Sequence, residues 1–162
     1  MIGVVAPVAA FLVLYLAIAS FRAFVLAIDL RLAVGAQAWR FAGFVFLALY
    51  AYDLLPGLFA WPAGLGDMAI ALTAPWVVLA LIRRPEFATS NGFVLWHLFV
   101  LLDLVVALTT GVLASGSAIG VGGEITTDVM GRLPLLLIPC YLVPIFIMLH
   151  LTALFQVRQC ST

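Results

Sequence analysis

DLLPGLFAWPAGLGDMAIALTAP, residues Asp53–Pro75, lies between two long apolar runs and decides where each can end. Pro56-Gly57 cannot continue the run before it, because proline lacks the N–H that a helix interior needs. The stretch therefore reads as a tight hairpin, with the next helix opening near Gly66. Asp67 then has an ordinary duty as N-cap, where a carboxylate meets unsatisfied N–H groups and the positive end of the helix dipole. Asp53 has no such duty. On a tight hairpin the two carboxylates would approach each other, close enough to bind a cation or share a proton.

The runs on either side are membrane-like. The 162-residue chain is 67% hydrophobic and only 9% charged, with a mean hydropathy of +1.30. A soluble domain carries about 25% charged residues. So little charge leaves no polar shell, and lipid must be the solvent for most of the surface. At about 20 residues per crossing, the chain accommodates five spans, near residues 4–27, 39–55, 66–82, 93–114 and 133–157, in a single transmembrane domain covering residues 1–162. The expected fold is all-α, a polytopic membrane helical bundle with five transmembrane helices. The first run lacks the basic n-region of a signal peptide and is expected to be retained.

Between the first two runs, Ile28–Trp39 carries Asp29 and Arg31 and reads as an interfacial connector, which places Arg40 at the start of the second span. Arg22, near the end of the first, can snorkel to the interface. The loop Ser115–Arg132 is the longest and richest in glycine. Glu124, Asp128 and Arg132 recur in it every four residues, a spacing that suits a short surface helix or lid. Pro139 and Pro144 should kink the last span.

All seven basic residues are arginine. Five spans put Arg31, Arg40, Arg83, Arg84 and Arg158 on one side and Arg132 on the other. The positive-inside rule makes the first side cytoplasmic, with the N-terminus outside. No basic patch suits nucleic acid. The two cysteines, Cys140 and Cys160, show neither metal spacing nor a plausible disulfide. No nucleophile elbow, P-loop, dinucleotide fingerprint or zinc helix is present, which argues against an enzyme.

Ionisable groups inside the bilayer are costly and usually face the protein interior. Asp103 falls about 15 Å deep in the fourth span, near the midplane. It is expected either to bind a proton or ligand or to pair structurally with Arg22. His97 and His150 share the cytoplasmic half on different helices, the arrangement a b-type haem requires; His150 alternatively bonds a carbonyl freed by proline. The candidate ligand- or proton-binding residues are thus Asp103, Arg22, His150 and His97 in the core, with Asp53 and Asp67 at the outer mouth.

The stretches QAWRFAG (Gln37–Gly43), LPGLFAWPAGLGD (Leu55–Asp67) and LPLLLIPCYLVPIFIMLHLTAL (Leu133–Leu154) together resemble a group of small uncharacterised bacterial inner-membrane proteins with five predicted spans. The resemblance covers most of the chain and implies a bacterial multi-span protein, with no catalytic residue to carry over. The residues favour a non-enzymatic protein that binds a small ligand, proton or cation as a transport or sensing subunit. The alternatives are a haem-b redox subunit using His97 and His150, and a structural or assembly subunit of a membrane complex; the expected partners are the lipid bilayer and either a second copy of the chain or a membrane complex. An absorption spectrum separates the first alternative, and co-purifying partners the second.

Overall fold

Long apolar runs can satisfy their backbone in lipid only by folding into helices or closed barrels, and here every regular element is helical. The computed structural model describes residues 2–116 and 125–160, with no strand among them. The helices are α1 (Ile2–Ala17), α2 (Ala19–Leu26), α3 (Leu30–Gly35), α4 (Phe44–Ala51), α5 (Gly57–Arg83), α6 (Asn91–Leu113) and α7 (Val143–Cys160). A 3-10 segment, Ala36–Gly43, joins α3 to α4, and a π-helical segment, Ile138–Leu142, leads into α7.

Among the described residues, four helical stretches are long and apolar enough to cross a membrane: Leu30–Ala51, Gly57–Arg83, Asn91–Leu113 and Ile138–Gln159. The bent pair α1–α2 makes a fifth if counted as one span. The expected straight first span does not form; the chain breaks at Ile18 and turns by 109°. Packing explains the break. Phe11, Tyr15 and Val25 are all buried against Met148, Leu151 and Phe155 of α7, which one straight helix could not achieve. Tyr15 stacks on Phe155 at 4.3 Å, and Gln156 Nε2 donates to the Ile28 carbonyl at 2.8 Å.

The second span also differs from expectation. Asp29 accepts a hydrogen bond from Arg31 N–H and caps α3, so a continuous helical stretch starts about ten residues earlier than the sequence suggested. Arg40 consequently falls in the middle of the Leu30–Ala51 stretch rather than at its start. The turn after α4 is tighter than expected too. Asp53 adopts φ 55°, the left-handed conformation that ends many helices and that Asp tolerates. Leu54 N–H then closes onto the Leu49 carbonyl at 2.9 Å. Pro56 is the N-cap of α5, and Trp61-Pro62-Ala63-Gly64 is already helical. The hairpin ends at Pro56, and Asp67 is an interior helical residue ten positions past Gly57.

Thr127–Gly131 forms one 3-10 turn, and Thr127 Oγ1 donates to the Gly111 carbonyl at 2.7 Å, tying the turn to the end of α6. Glu124, the first member of the expected surface helix, lies outside the described residues.

Two apolar cores close the ends of the bundle. Val34, Ala74, Leu81, Phe93, Ala153 and Val157 form one, beside Arg83 and Arg158. Phe46, Leu55, Phe59, Ala60, Ala63 and Ala114 form the other. The functional question concerns what lies between them.

Candidate functional site

A 3-10 helix repeats every three residues, so side chains three apart stack in line. In Ala36–Gly43 the buried residues are Gln37, Arg40 and Gly43. Val34 precedes them and Phe46 follows at the same interval, both buried. One face of this span therefore runs from the first apolar core, through two polar side chains and a glycine, to the second. An eight-residue 3-10 run is long for this geometry, which seldom exceeds 3–4 residues.

Arg40 is 2% exposed. Its Nε donates to Asp67 Oδ1 of α5 at 2.7 Å, and Nη2 lies 2.6 Å from the same oxygen. Nη2 also bonds Asp103 Oδ2 of α6. The Phe146 ring of α7 covers the guanidinium, 5.7 Å from Cζ. Glycines make room for this cluster. A Cβ on Gly43 would overlap Asp67, and one on Gly66 would overlap the Asp103 carboxylate. Gly43 brings the 3-10 segment onto α5, and Gly66 brings α5 onto α6.

Sequence reasoning singled out Asp103 and Asp67 but missed Arg40, the residue that joins them. The expected Asp103–Arg22 pair is replaced by Asp103–Arg40, because Arg22 lies on α2, beyond the bend, and is exposed. The N-cap role of Asp67 gives way to the Arg40 bond. Asp53 is exposed at the end of α4, and Asp67 lies about 15 Å further along α5, so the two carboxylates do not share a site. The signal for Arg40 was available: Asp29 as an N-cap would have moved the span start, and the triplet spacing Gln37–Arg40–Gly43 marks the buried face.

His97 and His150 do meet. Their Nδ1 atoms are 2.6 Å apart, with ring centroids at 4.8 Å. They are 1% and 0% exposed. Trp96 packs edge-on to His97 and tilted against His150, and its Nε1 donates to Thr73 Oγ1 at 3.0 Å. The two rings thus contact each other directly. Among the described residues no group of three or more His, Cys, Asp or Glu is placed to hold a metal ion.

A cavity of about 90 Å³ adjoins the cluster. Arg40 and Asp67 form its polar edge, and Trp39, Phe46, Phe59, Leu104, Pro139 and Phe146 are among its apolar walls. Two of its sides are irregular backbone, the 3-10 segment and the π-helical segment. Such backbone is tolerated at membrane depth only where protein buries it or where it lines a cavity, and single-turn π-bulges are frequent at functional sites. The cavity is roomy enough for several water molecules. Among the described residues, four buried side-chain polar atoms have no hydrogen-bond partner: Gln37 Oε1, Arg40 Nη1, His97 Nε2 and His150 Nε2.

No curated protein and no solved structure matches this chain. One family matches it over residues 1–158, nearly the whole length, and the chain therefore belongs to the family described as Domain of unknown function (DUF8737).

Proposed function

We propose that this protein is a multi-span membrane protein that binds a proton at the Asp67–Asp103 carboxylate pair, as a proton-coupled transport or sensing subunit. One observation carries the reading: two partly buried carboxylates share a single buried guanidinium in mid-span. With all three groups ionised the cluster carries one excess negative charge. Charge at this depth is strongly disfavoured, and among the described residues no second arginine pairs with either carboxylate. One proton restores neutrality. The adjoining cavity offers a route for that proton, and its mostly apolar wall suits a proton better than a hydrated metal cation.

The same reading places the chain in a bacterial inner membrane with five crossings. Contacts support an odd number of crossings: Gly3 lies against Cys140 and Tyr15 against Phe155, so α1 runs alongside α7 in the same direction. Arg22, Arg31, Arg83, Arg84 and Arg158 then sit at one end and Arg132 at the other, which makes the first end cytoplasmic. A C-terminal reporter fusion should be active only in the cytoplasm; an extracytoplasmic signal would overturn the orientation.

A lipid-soluble carbodiimide tests the proton site, because it reacts with a protonated carboxyl in an apolar setting. Peptide mass mapping should place the adduct on Asp103 or Asp67, with more of it as the medium is acidified and none at position 103 in Asp103→Asn. Absence of any adduct on either residue at every pH would sink the proposal.

A further inference from the structure

We infer that His97 and His150 form a one-proton relay that loads and unloads the carboxylate pair from the Arg-rich end of the bundle. The inference rests on the proton-binding reading above and supplies its route.

Depth comes first. His97 is six residues past Asn91, about 9 Å along α6, whereas Asp103 is about 18 Å along the same helix. His150 is nine residues short of Gln159, about 13 Å from that end of its span. One turn further in on α7 is Phe146, whose ring covers Arg40. The imidazole pair thus lies between the Arg-rich end and the ionic cluster, with His97 outermost. The charged group that acts on this layer is Arg40 from the 3-10 segment, which holds Asp67 of α5 and Asp103 of α6.

Chemistry follows from the Nδ1–Nδ1 contact. A hydrogen bond at 2.6 Å needs one donor and one acceptor. A neutral imidazole carries its proton on one nitrogen only. If His97 holds N–H at Nδ1, its Nε2 is bare; His150 must then be bare at Nδ1 and protonated at Nε2. The two outer atoms of the pair are therefore one acceptor and one donor, and both are buried and unpartnered. An incoming proton bonds to His97 Nε2. The Nδ1 proton of His97 passes across to Nδ1 of His150. The N–H bond at His150 Nε2 breaks as its proton moves on to a carboxylate. Both rings finish neutral, one proton has moved and each tautomer has inverted. The relay requires a bridging water on the inner side, for which the unpartnered Gln37 Oε1 and Arg40 Nη1 supply an acceptor and a donor.

Inversion has a consequence. After one transfer the pair can only return a proton outward, unless a ring rotates. Trp96, packed against both rings, opposes rotation. The device therefore suits reversible loading of a single site better than continuous conduction.

The chain has only two histidines, so ¹⁵N-histidine labelling reports on this pair alone. In the wild-type protein, nitrogen spectra should show opposite neutral tautomers at neutral pH, exchanged with each other once the carboxylates are protonated. Two rings of the same tautomer would overturn the relay without any substitution. Kinetics give a second arm. After a rapid pH drop, the infrared band of the protonated carboxylic acid should grow at least ten-fold more slowly in His97→Gln or His150→Gln, with unchanged final amplitude. An unchanged rate overturns the relay alone. A wild-type protein with no such band overturns the carboxylate reading and the relay together.

Discussion

Arg40→Met is expected to destabilise the protein by about 3–5 kcal/mol, the usual cost of removing one partner from a buried ion pair. The reason is what the substitution leaves behind. Asp67 and Asp103 lose their shared counter-charge in the layer between the two apolar cores, at 19% and 10% side-chain exposure. Lysine should not rescue the site. Arg40 bonds Asp67 through Nε and both carboxylates through Nη2, a planar fork that a single ammonium cannot reproduce. The triple change Arg40→Met, Asp67→Asn, Asp103→Asn should recover at least half of the loss, because it removes the uncompensated charges with the guanidinium. Reversible unfolding in detergent micelles measures all three. Equal losses for Arg40→Met and the triple variant would mean that side-chain packing, and not charge pairing, holds this layer.

The second large effect is expected from a single methyl group. Gly43→Ala places a Cβ on Asp67, and the atoms it meets include the Cβ of that residue. An atom one bond from the backbone cannot swing aside, so the 3-10 segment and α5 must separate. Overpacking of this kind costs about 1–3 kcal/mol, and here it also pulls Asp67 away from Arg40. Gly66→Ala meets chiefly the end of the Asp103 side chain, which can rotate. It should cost less stability while still disrupting the Arg40–Asp103 bond. Gly131→Ala is the control: nothing lies within 4 Å of its added Cβ, so its melting temperature should match the wild type. A Gly43→Ala protein as stable as that control would contradict the close approach described here.

Helix-forming segments were legible in the sequence because lipid-length apolar runs dominate this composition. Their boundaries were less so, for identifiable reasons. Asp29 and Arg31 looked too polar to belong to a span, although an N-cap is where such residues belong. Pro62 and Gly64–Gly66 looked like a turn, although membrane helices tolerate both residue types where neighbouring groups satisfy the backbone. Shifting those two boundaries moved Arg40 and Asp67 from the ends of apolar helical stretches into their interiors. Asp103 needed no correction, since it sits deep inside an unambiguous run. The bend at Ile18 carried no local signal; it follows from the docking of Tyr15 and Val25 on α7. The histidine contact was half legible. Similar depth was readable, but whether the two rings would touch each other or flank a cofactor depended on helix order, which no spacing within one helix encodes.

The central claim is that Asp67 and Asp103 together take up one proton inside the bundle. Infrared difference spectroscopy on acidification reads that event directly. The account predicts a carbonyl band of a protonated carboxylic acid that shifts in heavy water and disappears in both Asp103→Asn and Asp67→Asn, since the pair holds the proton jointly. A spectrum in which neither substitution removes any carboxylic acid band would contradict it.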